Sequence, residues 1–97
     1  MEFFSEILPK NEEFEKKIAM RCSFNNAKCE FIQGRIIHVK QTNMCFVEPH
    51  TIIVSIKDKK FILIYFDENN LFLYNRRCPI TLQKLVNLLK KARTMTS

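Results

Sequence analysis

Gly34 is the only glycine in the chain, and it interrupts a segment that otherwise has the pattern of a β-strand. The segment FIQGRIIHVKQTNMCFVE runs from Phe31 to Glu48 and is rich in β-branched and aromatic residues. A glycine inside a strand permits a sharp bend or a close approach of another backbone. We therefore predict a long strand that bends at Gly34 and serves both halves of a small barrel.

The size and composition predict a single domain over residues 1–97, because 97 residues of which 46% are hydrophobic can fill one modest core. We expect a chain that is neither secreted nor membrane-bound, since no apolar run has membrane-spanning length and the start MEFFSEILPK carries acidic residues. The four cysteines form no CxxC pair, so we expect reduced thiols and neither a metal site nor a cofactor. The net charge of +6 points to an acidic partner, either nucleic acid or an acidic protein.

The first third of the chain predicts a short helix followed by a hairpin. Phe3, Phe4, Ile7 and Leu8 recur at helical spacing before Pro9. From Ile18 to Phe24 the larger apolar residues alternate with Ala19, Arg21 and Ser23, which is typical of a half-buried strand. A turn at Asn25-Asn26 would then place Cys22 opposite Cys29.

The rest of the chain predicts further strands and a closing helix. A turn at Asp58-Lys59 would pair Ile56 with Phe61, Val54 with Leu63 and Ile52 with Tyr65. A helical extension over about 79–94 follows, with Pro79 in its first turn. Its apolar stripe contains Leu82, Leu85, Val86 and Leu89.

The predicted fold class is therefore mainly β with flanking helices. We expect a short N-terminal helix, about five strands in one strongly bent antiparallel sheet or small open barrel, and a C-terminal amphipathic helix. Three architectures fit this order of elements: an Sm-like barrel, an OB barrel, and a pleckstrin-homology-like barrel.

Two segments resemble the signatures of the Sm/LSm family. GRIIHVKQTNMCFVE, from Gly34 to Glu48, is similar to the first signature in its glycine, its turn and its apolar strand. ILIYFDENNLFLYNRRCP, from Ile62 to Pro79, is similar to the second. The sequence departs from the family at Lys40, at Asn43-Met44 and at Tyr65-Phe66, which stand where the family has aspartate, Met-Asn and Arg-Gly.

The resemblance implies a ring subunit whose turns line an RNA-binding pore. Carried over by position, the residues nearest that pore are Lys40, Thr42, Met44, Asp67 and Asn69. Arg76 and Arg77 belong to the basic clusters that we predict to contact phosphates without reading bases.

The segment LFLYN predicts a partner interface, because Leu71, Phe72, Leu73 and Tyr74 would form an apolar strand at a sheet edge. Catalysis is not expected. Cys45 and His50 could form a thiol–imidazole couple, but neither a third orienting group nor an oxyanion hole can be named for it.

The sequence thus predicts a non-enzymatic, Sm-like and RNA-binding subunit of a ribonucleoprotein or RNA-processing complex, nuclear or cytoplasmic. It would assemble as a hetero-oligomer with other Sm-like or complex subunits, with RNA as a further candidate partner. The alternative is a protein-binding adaptor of pleckstrin-homology or OB type. A ring subunit is expected to be a dimer or larger, and an adaptor to be a monomer without its partner.

Overall fold

The structure, a computed structural model, describes residues 2–74 and 78–94. It contains two antiparallel sheets and two helices, which confirms a mainly β fold. Sheet A is three-stranded, with the order β1-β3-β4, and sheet B is five-stranded, with the order β2-β5-β6-β7-β8. The elements are β1 Phe3–Ile7, α1 Glu12–Phe24, β2 Lys28–Ile32, β3 Arg35–Val39, β4 Met44–Glu48, β5 His50–Ile56, β6 Lys59–Tyr65, β7 Leu71–Leu73, β8 Cys78–Pro79 and α2 Leu82–Thr94.

One long hairpin links the two sheets. β2 and β3 form its first arm, β4 and β5 form its second, and the pairing register is the same on both sides of the break: Ile32 faces Thr51 and Arg35 faces Glu48. No residue is inserted between these two pairs, so Gly34 stands opposite Pro49 where the ladder is interrupted. Proline lacks the N–H that a continuous ladder needs, and the hairpin therefore passes from one sheet to the other at this pair.

Gly34 is required by the close approach of the opposite strand. A Cβ atom built on Gly34 would lie 2.2 Å from the carbonyl oxygen of Glu48, 2.6 Å from the carbonyl carbon of Pro49 and 2.8 Å from the nitrogen of His50. Its φ angle is not positive, so the glycine is needed for space and not for a left-handed backbone. The single strand that was predicted to bend at Gly34 is divided there instead, since β2 ends at Ile32 and β3 begins at Arg35 in the other sheet. The sheets remain open and do not close into a barrel.

His50 fastens this junction from the inside. It is 1% exposed, and its Nδ1 accepts a hydrogen bond from the Gly34 N–H at 2.9 Å. Nε2 must then carry the proton and donate to the Pro9 carbonyl oxygen, 3.1 Å away. The ring also lies against Tyr65, with the ring centroids 4.8 Å apart. Three chain segments therefore meet at one side chain.

The N-terminal helix expected at Phe3–Leu8 is wrong, because this segment is strand β1. β1 pairs antiparallel with β3 from Phe3 opposite Val39 to Ile7 opposite Arg35. The Leu8 N–H donates to the Gly34 carbonyl oxygen at 3.1 Å, which extends the pairing to the junction. Five residues make a marginal helix in isolation, whereas a strand has the edge of β3 available to it.

The strand expected at Ile18–Phe24 is also wrong, because the segment lies in helix α1. Asn11 caps the helix by accepting a hydrogen bond from the Phe14 N–H at 3.0 Å, and acidic residues fill the first turn. The buried residues Phe14, Ile18 and Cys22 are spaced by four. Sequence reasoning missed this helical spacing because residues 18–24 also alternate as a strand does.

The Asn25-Asn26 hairpin is absent as a consequence. Asn25 ends α1, and Asn26 has a φ of 58° in the tight turn into β2. β2 pairs with β5, so Cys29 lies opposite Val54 and not opposite Cys22. The two thiols nevertheless interact: burial, followed by the neighbouring Cys29, raises the pKa of Cys22 to about 12.

The second predicted hairpin exists with a register that differs by two residues. Val54 pairs with Phe61 and Ile52 with Leu63, whereas the sequence placed Val54 opposite Leu63. The turn residues are Lys57 and Asp58, and Lys57 has a φ of 53°. A shift of two preserves the side to which each residue points, so the predicted inner face is correct.

Both helices cover the same face of sheet B and enclose the core. α2 begins at Leu82 and buries Leu85, Val86, Leu89 and Ala92, which confirms the C-terminal helix. Pro79 lies in β8 and not in the first helical turn. The core cluster comprises Phe14, Ile18, Cys22, Ile52, Val54, Ile56, Leu63, Tyr65, Leu71, Leu85, Leu89 and Ala92. None of the described helices has the length and apolarity to cross a membrane.

Gly34→Ala is expected to destabilise the fold by about 1–3 kcal/mol, because the new methyl group overlaps backbone atoms that cannot rotate away. Urea unfolding of the purified chain measures the loss. Gln33→Ala changes the exposed neighbouring residue and should stay within about 0.5 kcal/mol of the original chain. Equal stability of the Gly34→Ala and original chains would contradict the crowding at the junction.

The buried thiol of Cys22 predicts a loss of stability at alkaline pH. Its folded-state pKa of about 12 lies above the ordinary value of 9.0, so the folded chain holds a proton that the unfolded chain releases. This contribution is complete below about pH 8 and decreases as the pH rises from about 9 towards 12. Burial also raises the pKa of Tyr65, which adds to the loss above about pH 10.

Urea unfolding across this pH range tests the Cys22 effect. Cys22→Ala should show a flatter decline between about pH 8 and pH 10 than the original chain. Cys45→Ala, which removes an exposed thiol, should keep the original slope. A Cys22→Ala chain with an unchanged slope would assign the alkaline loss to other groups.

Candidate functional site

Sheet A projects from the rest of the molecule without a covering layer. We call β1, β3 and β4 the arm, and sheet B with α1 and α2 the body. The main packing contacts of the arm strands are with one another, whereas both helices pack on sheet B. All residues of β1 and of β4 are exposed. Small antiparallel sheets usually bury one face on a core, so the arm lacks what such a sheet normally packs against.

One face of the arm carries a continuous apolar surface. Because side chains alternate along each strand, the pairings place Phe3 beside Val39 and Met44, and Ile37 beside Phe46. Phe3 is 61% exposed and Phe46 is 50% exposed. We call this face 1; its apolar members are Phe3, Ile7, Ile37, Val39, Met44 and Phe46.

The opposite face of the arm, face 2, combines apolar and reactive groups. Ile36 lies beside Val47, which is 48% exposed. In the next row, Phe4 stacks on His38 with the ring centroids 4.6 Å apart and the planes at 14°. Cys45 Sγ lies 3.1 Å from His38 Nδ1. The arm is thus apolar on both sides, with one polar cluster on face 2.

Ion pairs stand at the two ends of the arm. At the base, Arg35 Nε lies 2.9 Å from Glu48 Oε2, and this contact raises the pKa of Arg35. At the tip, Lys40 Nζ lies 3.7 Å from Glu2 Oε2. Residues 2–7 and 35–48 contain two basic and three acidic side chains, which gives a net charge of −1. Because the whole chain has a net charge of +6, the rest of the chain carries +7. The excess of basic residues therefore lies outside the arm.

Three of the predicted RNA-binding residues lie at the arm tip. Lys40 and Thr42 belong to the turn between β3 and β4, and Met44 is the first residue of β4. Lys40 and Met44 line a shallow cavity of about 280 Å³ on the arm. The other residues that line this cavity are Phe4, His38, Val39, Asn43 and Cys45.

Asp67 and Asn69 lie in a different place, the turn between β6 and β7. Both Asp67 carboxylate oxygens are within 3.0 Å of the Asn70 amide, and Oδ1 accepts from the Asn69 N–H at 2.8 Å. This turn follows Tyr65, which pairs with His50 at the arm base. The tip lies four residues along β3 from the base of the arm, about 13 Å by strand geometry. Asp67 and Asn69 are not among the residues that line the cavity at the tip.

The strand predicted to form a partner interface is β7, Leu71–Leu73, and within the described residues it is not at the edge of sheet B. β8 pairs with β7, with Phe72 opposite Pro79 and Leu73 opposite Cys78. Leu71 is buried in the core and Tyr74 is exposed. The expectation of an unpaired edge is thus wrong, and a role of these residues in a partner interface stays a prediction. Arg76 and Arg77 lie outside the described residues.

The uncovered side of sheet B holds a second apolar surface. A cavity of about 390 Å³ is lined by Ile64, Phe66, Phe72 and Tyr74. Phe66 and Tyr74 are both exposed. Phe72 and Tyr74 were predicted to contact a partner, and this cavity is where the structure places them.

The histidine and cysteine chemistry differs from the couple considered from sequence. Cys45 is paired with His38, while His50 is used in the buried junction. Sequence reasoning missed His38 because the pairing of residues 38 and 45 depends on the β3–β4 register. No group of three or more His, Cys, Asp and Glu residues in the described ranges is arranged to hold a metal ion.

Comparisons with known proteins add no relative. No protein-family model matches the chain, and neither the curated proteins nor the solved structures contain a significant match. The function is therefore inferred from the arm and the body themselves.

Proposed function

We propose that this chain is a non-enzymatic assembly subunit that inserts its arm into an apolar cleft of another protein. The single observation that carries the proposal is the arm itself, a three-stranded sheet with large apolar side chains exposed on both faces. This function is closer to the adaptor alternative than to a ring subunit.

The exposed apolar area is the first argument. Contiguous apolar patches on soluble monomers are usually small, and larger ones mark interaction sites. Six of the arm residues rank among the exposed large hydrophobic side chains: Phe3, Phe4, Ile7, Met44, Phe46 and Val47. A three-stranded sheet needs a packed hydrophobic face for stability, and a bound partner would supply it.

The size of the arm argues for a cleft and against a flat contact. Three strands of five residues give a footprint of roughly 15 by 17 Å, or about 250 Å² for each face. A stable interface buries about 800 Å² on each partner. One face is too small for this, whether against a second copy or another protein. A partner that encloses both faces and an edge approaches the required area.

The charge distribution indicates the chemistry of that cleft. The arm has a net charge of −1, and its charged residues are partly paired with each other, as in Arg35–Glu48 and Lys40–Glu2. The cleft is therefore expected to be apolar inside, with polar groups at its mouth and base. Because few unpaired charges take part, binding should depend only weakly on salt.

Substitutions on the two faces test arm insertion. After the native complex is purified and its partner identified, Phe46→Glu and Val47→Glu place a charge on face 1 and on face 2 respectively. Each is expected to weaken binding of the purified partner by about tenfold or more, because a charge would be buried without a counter-ion. Titration calorimetry measures the affinity.

The matched control is Phe24→Glu, which changes an exposed apolar residue at the end of α1 in the body. It should bind like the original chain. Partner binding that tolerates both arm substitutions would overturn the proposal. Light scattering of the chain alone should give the mass of a monomer. A stable homo-oligomer that Phe46→Glu abolishes would instead show that the arm binds a second copy of this chain.

RNA contact in an Sm-like ribonucleoprotein is the second candidate function, and the charge of +7 outside the arm favours it. Polyanion binding requires only basic groups that reach phosphates. The proposed phosphate contacts are Arg76 and Arg77. Asn69 precedes these arginines in the sequence, and strand β7 lies between them. Lys40, Thr42 and Met44 would join only in an assembly that brings the arm tip to the RNA.

Salt dependence distinguishes RNA contact from general basicity. Binding of single-stranded oligouridine should weaken steeply as salt is raised, and Arg76→Ala with Arg77→Ala should lower the logarithmic slope by about 0.7 for each lost phosphate contact. Arg35→Ala, in which the lost guanidinium is already paired with Glu48, should leave the slope unchanged. Fluorescence anisotropy measures both, and absence of binding at low salt would remove this candidate.

A further inference from the structure

A thiol, an imidazole and a carboxylate are aligned across three strands of the arm. Cys45 on β4 has its Sγ 3.1 Å from His38 Nδ1. On the other side of the ring, His38 Nε2 lies 3.6 Å from Glu6 Oε1 on β1. Phe4 stacks on the ring and fixes its plane. Cys45 is exposed and borders the cavity of about 280 Å³ at the tip.

The hydrogen bonding of His38 is incomplete on the Glu6 side. Nε2 is buried from solvent and has no hydrogen-bond partner among the described residues, since 3.6 Å is too long for one. If Nδ1 accepts the thiol proton, both ring nitrogens carry hydrogens and the ring becomes a cation. That cation would lie between the Glu6 carboxylate and the Cys45 thiolate, and both negative charges would stabilise it.

We propose that Cys45 is a reactive thiol, with His38 as its base, that undergoes exchange with low-molecular-weight disulfides, and that the resulting adduct prevents the arm from docking. The partner class is a soluble disulfide such as glutathione disulfide. The second half of the proposal rests on arm insertion as the proposed function; the first half does not.

The exchange balances without any further reactant. The Cys45 S–H proton moves to His38 Nδ1, and the thiolate sulfur attacks one sulfur of the disulfide. The reagent S–S bond breaks as the Cys45–sulfur bond forms. The leaving thiolate takes the proton from His38 and departs as a free thiol. Cys45 is thereby oxidised to a mixed disulfide, and one reagent sulfur is reduced.

The adduct would occupy the surface that the partner must cover. Cys45 lies on face 2 in the row next to Ile36 and Val47, within a sheet only five residues long. A glutathionyl group is larger than any side chain on that face and carries charge. A cleft shaped for the unmodified arm would have to exclude it, and reduction of the mixed disulfide would restore docking.

The chain supplies an internal control for reactivity, because Cys78 is a second exposed thiol. Peptide mass mapping after brief treatment with glutathione disulfide at neutral pH measures the rate at each cysteine. Cys45 is expected to react about tenfold or more faster than Cys78, since a positioned base gives at least that factor. His38→Phe keeps an aromatic ring beside Phe4 and should abolish the advantage.

Glu6→Gln provides a second variant that leaves His38 in place. Because Glu6 acts through the imidazole as a positioning residue, its loss should slow Cys45 by about two- to fivefold and leave Cys78 unchanged. A folded His38→Phe or Glu6→Gln chain with an unchanged Cys45 rate would overturn the role of that residue. Equal rates at Cys45 and Cys78 in the original chain would overturn the reactive site.

The docking half is tested with the purified partner. The Cys45 adduct should bind about tenfold more weakly than the reduced chain, and a reductant should restore binding. Cys45→Ser treated with glutathione disulfide should bind as it does untreated. An adduct that binds like the reduced chain would overturn the control of docking. If Phe46→Glu and Val47→Glu leave partner binding intact, only the arm-insertion proposal is wrong. The reaction rates at Cys45 then still test whether this thiol is reactive.

Discussion

Two hydrogen bonds of one buried imidazole connect the arm to the body. His50 accepts from the Gly34 N–H and donates to the Pro9 carbonyl oxygen, which joins the long hairpin to the segment between β1 and α1. The same ring packs on Tyr65, whose hydroxyl donates to the Glu15 carboxylate of α1. Removing such a side chain leaves the buried Gly34 N–H unpaired, which costs about 1–3 kcal/mol, and it also removes the partner of the partly buried Pro9 carbonyl oxygen. The direction in which the arm leaves the body therefore depends on His50 and on the absence of a side chain at Gly34.

The arm is a consequence of where the two long strands cross this junction. Pro49 cannot donate to the ladder, and Gly34 lets the opposite backbone occupy the space that a Cβ atom would need. Beyond this pair both strands continue in the same register, but the helices lie only over sheet B. β1 widens the projecting hairpin to three strands without covering it. A stable connection and an uncovered end arise from the same few residues, which favours an arm that is held ready for a partner.

The sequence predicted the parts that depend on one dominant pattern. The stripe of α2 and the alternation of β5 and β6 have one possible period each, so both elements were found, and a register error of two residues left the inner face correct. The apolar residues of Phe14–Phe24 fit both a helical period and the alternation of a strand. The Asn11 cap and the acidic first turn favour the helix. β1 could not be predicted, because it is stabilised by pairing with a strand about 30 residues away. The candidate site was missed for the same reason: the cluster at Cys45 exists only once β1, β3 and β4 are aligned.

The separation of charge from apolar surface decides how the two candidate functions relate. A net charge of −1 on the arm and +7 elsewhere means that steering by a polyanion would act on the body, while the arm contributes mainly apolar burial. Electrostatic steering changes association rates and is screened by salt, whereas burial of Phe46 or Val47 changes the lifetime of the complex. A partner bound to the arm would leave the basic residues of α2, which are Lys84, Lys90, Lys91 and Arg93, accessible. Protein docking and RNA contact are therefore compatible in one complex, and they would respond to different mutations and different conditions.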